Sequence, residues 1–186
     1  GLWDIDNPHS SMYHSAHLIS SKGTTEFRDF PMRAEVAPYP HHSEMRRYFR
    51  DYARQFRLYE HYQFDTRVLQ MQREQDGWKL ISERNGEQRE WRFDGVLIAN
   101  GTLSEPNMPT FKGEFAGELI HSSAYRDPEI FKGKRVLIIG AGNSGCDIAV
   151  DAIHHGKSCD ISMRRGYYFV PKYVFGRPAD TMGGKI

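Results

Sequence analysis

The stretch VLIIGAGNSGCDIA, Val136 to Ala149, runs an apolar segment into a glycine-spaced turn and then into a helical pattern. Gly140, Gly142 and Gly145 form G-x-G-x-x-G, a weak signal alone and a strong one between a strand and a helix. The flanking sequence supplies that context. Lys134–Ile139 predicts a buried strand, Cys146–His155 a helix and Cys159–Met163 a further strand, the order of a βαβ unit of about thirty residues. Gly140 permits the sharp turn, and Gly142 lets backbone N–H groups approach a pyrophosphate with no Cβ in the way. Gly145 allows the helix to pack close to the strand. The helix N-terminus then offers unpaired donors and a positive dipole end to phosphates. Gly140, Gly142, Asn143, Ser144 and Gly145 are therefore candidate cofactor-binding residues. The bland alternative, a glycine-rich βα turn that binds nothing, is disfavoured by that context.

The second strand decides which dinucleotide. A site for NAD places an acidic residue about 20 residues on, to accept bonds from the ribose hydroxyls. Met163-Arg164-Arg165 stands there instead. Two guanidinium groups present forks of donors to a 2′-phosphate. Arg164 and Arg165 thus favour NADPH over NADH. A methyltransferase would also want the missing acid, and a P-loop would need Lys-Ser/Thr after the glycines.

Bulk properties bound the remaining classes. The chain has 186 residues, enough for one domain with a core or parts of two, with 39% hydrophobic and 26% charged residues. A net charge of +1 points to neither nucleic acid nor an anionic membrane. Apolar runs such as Val136–Ile139 are too short to span a bilayer. The two cysteines, Cys146 and Cys159, form no C-x-x-C pair, which argues against a flavin disulfide reductase and for a reduced, cytosolic setting. His41-His42 and His154-His155 lack the ligand spacing of a metal site, so no metal is expected.

Upstream of the turn, residues 1–42 read as loop with short extended pieces, long enough to suggest a functional role. From Ser43, a plausible N-cap, Met45, Tyr48, Phe49, Tyr52 and Phe56 fall on one helical face and predict core packing. Val68–Arg73, Trp78–Glu83 and Gln88–Phe93, separated by Asp76-Gly77 and Asn85-Gly86, predict a three-stranded meander. Val96–Ala99 suits a buried parallel strand closed by Asn100-Gly101. Pro106-Asn107-Met108-Pro109 reads as a domain boundary, and Glu118–Ser122 as extended.

With these residues in place the sequence resembles the flavin-containing monooxygenases of bacterial type, over essentially the whole chain. FAGELIHSSAYR, Phe115 to Arg126, fits the family pattern F-x-G-x-x-x-H-x-x-x-Y-R/K through Phe115, Gly117, His121, Tyr125 and Arg126. The similar Baeyer–Villiger enzymes carry Trp where Tyr125 stands. GNSGCDIA, Gly142 to Ala149, matches the nicotinamide-site motif. Asn100-Gly101 sits where the family has A-T-G, and Gly1-Leu2-Trp3 resembles the end of its flavin-side G-G-x-W element. His121 is read as a domain-junction residue.

The resemblance implies an α/β, Rossmann-like flavoprotein architecture with two dinucleotide-binding domains and a β-meander, present as a fragment. Residues 1–107 would be part of an FAD-binding domain lacking its first βαβ unit. Residues 108–186 would be an NADPH-binding domain incomplete at its C-terminus. It further implies FAD and NADPH as cofactors, with Leu2, Trp3, Ser20 and Gly101 joining the glycine turn and the arginine pair as cofactor-binding residues. The implied activity is like that of N,N-dimethylaniline monooxygenase. A flavin C4a-hydroperoxide passes one oxygen atom of O2 to a small nucleophilic amine or sulfide, and the protein positions the reactants and excludes water. The cofactors carry that chemistry, so no side chain is assigned as catalytic acid or base. A Baeyer–Villiger oxidation, or for this chain alone an NADP(H)-binding module without turnover, are the alternatives. One departure stands out: Ile19-Ser20-Ser21-Lys22 replaces the family's Asn-Ser-Ser-Lys. Ile19 cannot donate the amide hydrogen bonds of an Asn, which implies either greater release of hydrogen peroxide or the use of another donor.

Overall fold

A computed structural model describes residues 1–103 and 105–183. By contact the chain divides into two units, Gly1–Tyr52 with Leu103–Ile186, and Ala53–Thr102.

The first unit contains the βαβ element read from the sequence. Strand β4 (Arg135–Ile139), helix α3 (Asn143–His155) and strand β5 (Ser158–Ser162) follow in order, and the strands pair in parallel from Arg135 opposite Ser158 to Ile139 opposite Ser162. Helix α3 starts three residues before the apolar pattern does, because the turn residues Asn143, Ser144 and Gly145 already form its first turn. Gly145 cannot be another residue: a Cβ there would lie 2.4 Å from the Gly140 carbonyl oxygen. Gly140 itself has φ 104°, a conformation open to glycine.

Two apolar clusters anchor this unit. In one, Ile148 and Ala152 of α3 meet Tyr13, Ala16, Tyr125 and Phe131, with Val136 and Ile138 of the strand packed against them. In the other, Met45 and Tyr48 of helix α2 (His42–Gln55) meet Leu18 and Met32, with Trp3, Phe30 and Val36 alongside. The expected aromatic stripe therefore packs through the first half of α2, while Phe49 stays exposed and Phe56 falls past the helix end, also exposed. The helix begins one residue earlier than expected, and its cap is His41 rather than Ser43. The Ser43 N–H donates to His41 Nδ1 at 3.3 Å, and the His41 N–H donates to the Glu44 carboxylate at 3.1 Å. This is a capping box with imidazole in the place of a hydroxyl. Residues 1–41 are otherwise turns and loop, with one short helix, α1 (Lys22–Thr25). A small hairpin, β6 (Tyr173–Val174) and β7 (Arg177–Pro178), lies near the end of the described chain.

The second unit is the antiparallel meander β1 (Arg67–Glu74), β2 (Gly77–Arg84) and β3 (Glu87–Phe93). Asn85 and Gly86, φ 52° and 83°, make the second turn as expected. The first turn is Gln75-Asp76, because Gly77 already pairs with Glu74. Gly77 is required there, since a Cβ would fall 2.5 Å from the Phe93 carbonyl oxygen. Two expected extended segments do not form strands. Val96–Ala99 has no pairing partner among the described residues and leaves Leu97 97% exposed. Glu118–Ser122 runs into a 3-10 turn at Ser122–Ala124. A strand needs a neighbour to satisfy its backbone, and apolar composition alone does not supply one.

Candidate cofactor site

The glycine turn and the arginine pair lie at the same end of the parallel strands. The Gly140 N–H donates to the carbonyl of Ser162, the last residue of β5, at 2.8 Å, and Arg164 and Arg165 follow two and three residues later, both exposed. Gly142 caps α3, and its carbonyl accepts the first helical bond from the Cys146 N–H at 3.0 Å. Asn143, Ser144 and Gly145 are thus first-turn residues whose N–H groups have no acceptor within the helix. Gly142, Asn143 and Ser144 are exposed, and a Cβ at Gly142 would meet nothing within 4 Å. Free amides, a positive helix end, open room above Gly142 and two guanidinium groups beyond the next strand suit a dinucleotide with an extra phosphate.

The chain also holds α3 through two of its carboxylates one turn apart, Asp147 and Asp151. The Tyr13 hydroxyl donates to Asp147 at 2.8 Å, and the Tyr125 and Ser15 hydroxyls donate to Oδ2 of Asp151 at 2.6 Å and 2.5 Å. Burial, reinforced by these carboxylates, raises the pKa of both phenols far above the ordinary tyrosine value, so both remain donors. Tyr125 is 1% exposed and stacks on Phe131 with ring centroids 5.3 Å apart.

The neighbouring motif residues prove to be a clasp. His121 caps the 3-10 turn, its Nδ1 accepting from the Ser123 N–H at 3.1 Å. The Phe115 ring lies where a Cβ on Gly117 would be, 2.5 Å away. Arg126 donates to the carbonyls of Ser123 and Tyr125 at 2.7 and 2.8 Å and also to that of Ser10. Ser10 in turn donates its hydroxyl to the Leu2 carbonyl at 2.5 Å. The N-terminal segment, with Leu2 and Trp3, is further tied to α2 by Arg46 to Asp4 and Asp6 at 3.1 and 2.6 Å, and by Arg50 to Asp4 at 2.9 Å.

Ser20 is partly buried, its hydroxyl 2.8 Å from that of Thr25, while Ile19 beside it is 58% exposed. The next residue but one, Lys22, donates its ammonium to the carbonyls of Arg33, Ala34 and Val36 at 3.3, 3.0 and 2.6 Å. Gly101 belongs to the second unit. Its φ of 76° makes the glycine necessary, and the Asn100 amide donates to its carbonyl at 3.0 Å. Among the described residues, no group of three or more His, Cys, Asp or Glu side chains is placed to hold a metal ion, and no helix is long and apolar enough to cross a membrane.

A turn of this form on a parallel strand pair defines a dinucleotide-binding fold, and the comparisons say which family of that class the chain belongs to. The family model described as FMO-like, flavin-binding monooxygenase-like, matches residues 1–182, and the chain belongs to that family. Rat flavin-containing monooxygenase 5 is 37% identical over 98% of this chain, which spans 37% of that relative's length. S-allyl-L-cysteine S-oxygenase from Allium sativum is similar over 90% of the chain and 40% of its own, with 27% identity and a TM-score of 0.78. The flavin-containing monooxygenase from Stenotrophomonas maltophilia is similar over 91% of the chain and 49% of its own, at 29% identity and a TM-score of 0.75. An OTEMO structure in complex with FAD and NADP is similar over 82% of the chain and 31% of its own, at 27% identity and a TM-score of 0.63. The α/β flavoprotein fold read from the sequence is the fold of these neighbours.

Proposed function

We propose that the protein carrying this chain is an NADPH- and FAD-dependent monooxygenase that places one oxygen atom of O2 on a nucleophilic nitrogen or sulfur of a small molecule. The observation that carries the reading is the exposed first turn of α3 beneath an open Gly142, with Arg164-Arg165 beyond the adjacent strand end. Gly140, Gly142, Asn143, Ser144 and Gly145 would receive the pyrophosphate of NADPH, and the arginine pair its 2′-phosphate. Leu2, Trp3, Ser20 and Gly101 would lie on the flavin side, so residues 1–107 serve FAD and 108–186 serve NADPH. When bound, the nicotinamide supplies hydride and the flavin activates oxygen. The chain's own residues bind, orient and exclude water. Ile19 gives the flavin-side loop no amide, which fits an enzyme that releases more hydrogen peroxide than one with Asn there. The reading needs no metal, nucleic acid or membrane partner, and two free cysteines suit a reduced cytoplasmic setting. Tyr125 in place of Trp favours heteroatom oxygenation over Baeyer–Villiger oxidation.

Titration calorimetry on the protein at its natural length tests the nucleotide assignment. NADPH should bind more tightly than NADH, and Arg164→Ala with Arg165→Ala should weaken NADPH by about tenfold or more, ~1.4 kcal/mol, while NADH changes little. Equal affinities, indifferent to both arginines, would refute it.

A further inference from the structure

We propose that Asp180 is a positioning residue for Ser20, setting the loop Ile19–Lys22 through the first turn of α1. The assignment rests on the functional reading, which puts this loop beside the flavin.

Helix α1 has four residues, and a helix so short does not hold its geometry unaided. Its N-cap, Ser21, is 2% exposed and makes no side-chain capping bond. The anchor for this end comes from far along the chain: Asp180 Oδ2 accepts from the Ser21 N–H at 2.7 Å and lies 2.7 Å from the Thr24 hydroxyl. Thr24 also lies 3.0 Å from the Ser21 carbonyl, but its single hydroxyl hydrogen goes to the stronger acceptor, the carboxylate. The Ser21 carbonyl then accepts from the Thr25 hydroxyl at 2.9 Å, and that hydroxyl lies 2.8 Å from Ser20 Oγ. Asp180, Ser21, Thr25 and Ser20 thus form one connected path.

The hydrogen bonds from Thr24 and Ser21 hold the Asp180 carboxyl below its ordinary range, so it is ionised at neutral pH. The segment that presents it is itself fixed. The Ala179 N–H donates to the Lys172 carbonyl at 2.9 Å, the Tyr39 hydroxyl donates to the same carbonyl, and the Tyr39 and Tyr173 rings meet edge-on at 5.3 Å. Lys22 pins the loop from the other side through three carbonyls. Ile19 offers no polar side-chain group, and the Thr25 hydrogen goes to the Ser21 carbonyl, so that Ser20 donates its own to Thr25. Any side-chain hydrogen bond this loop makes toward a ligand is therefore one that Ser20 Oγ accepts. The path from Asp180 sets where that hydroxyl points.

The test uses the protein at its natural length, loaded with flavin, and the variants Asp180→Ala, Asp180→Asn and Thr24→Ala. Three quantities are read: amide hydrogen exchange over Ser21–Thr25, KM for NADPH, and hydrogen peroxide released per NADPH oxidised. Asp180→Ala should speed exchange in Ser21–Thr25 about tenfold with α3 unchanged, and raise the peroxide share at least threefold with KM within twofold. Asp180→Asn, which keeps an acceptor oxygen at the same reach, and Thr24→Ala, which keeps the Ser21 bond, should show smaller changes in the same direction. Unchanged exchange in all three variants overturns the clamp. Faster exchange with an unchanged peroxide share, or with a KM that rises in its place, overturns the positioning role. A wild-type protein that holds no flavin overturns the functional reading, and this assignment with it.

Discussion

His42 opens α2 at 6% exposure, and its Nδ1 has no hydrogen-bond partner. Burial lowers its pKa first, and the adjacent His41, then His14 and Arg46, disfavour a further positive charge, against a smaller opposing effect of Asp6. The fold accommodates the neutral ring. Its contribution is therefore intact above the unfolded value of about 6.5 and is lost as pH falls through the lower folded value. The thermal midpoint should fall between pH 7.5 and pH 5. His42→Gln should lie lower at pH 7.5 but descend less steeply. A parallel descent in both proteins would place the acid sensitivity in other groups. The sequence showed the residue but not the environment, since a histidine pair beside a helix start reads equally as a solvated pair. The glycines were more legible. Gly145 is fixed by the Gly140 carbonyl five residues away, a local backbone constraint that spacing records directly.

At the scale of elements, locally determined structure was legible and remotely determined structure was not. The order β4, α3, β5 and the Asn85-Gly86 turn follow from short-range pattern. Val96–Ala99 has the composition of a buried strand, yet pairing depends on a neighbour that composition cannot name. The docking of α3 is the sharper case. Tyr13 reaches Asp147 across 134 residues and Ser15 reaches Asp151 across 136. An acidic pair one helical turn apart in the apolar middle of the helix, Cys146–Ile153, was the available signal, and only the fold shows which hydroxyls answer it. Tyr125 and Ser15 share Oδ2 of Asp151, so Tyr125→Phe removes one of two donors and leaves the carboxylate still bonded. Loss of a hydrogen bond to a charged group costs about 1.5–3 kcal/mol. The denaturation midpoint should fall accordingly, and Tyr125→Phe with Ser15→Ala should cost more than the sum of the two changes, because together they leave a partly buried carboxylate without either hydroxyl. Simple additivity in that cycle would show that the two bonds act independently.

At the scale of the whole chain, the surface carries more apolar side chains than its two clusters bury. Leu97, Ile98, Leu137, Ile139, Phe115 and Phe175 are all exposed, although several sit in segments with the composition of interior strands. Isolated surface apolar residues are ordinary, but contiguous ones attract other apolar surface. Leu97 and Ile98 are adjacent, unpaired in any strand and 97% and 72% exposed, so they contribute little to the stability of the second unit. Changing both to Ser should therefore shift the thermal midpoint of the 186-residue chain by no more than about 2–4 °C, since two surface substitutions away from packed features, at up to about 0.5 kcal/mol each, sum to about 1 kcal/mol. The same change should lower binding of an apolar fluorescent dye and raise the concentration at which the chain self-associates. A midpoint lowered beyond that range would mean that the run Val96–Ala99 packs in solution, as its composition first suggested, and would identify the exposed arrangement as only one of its states.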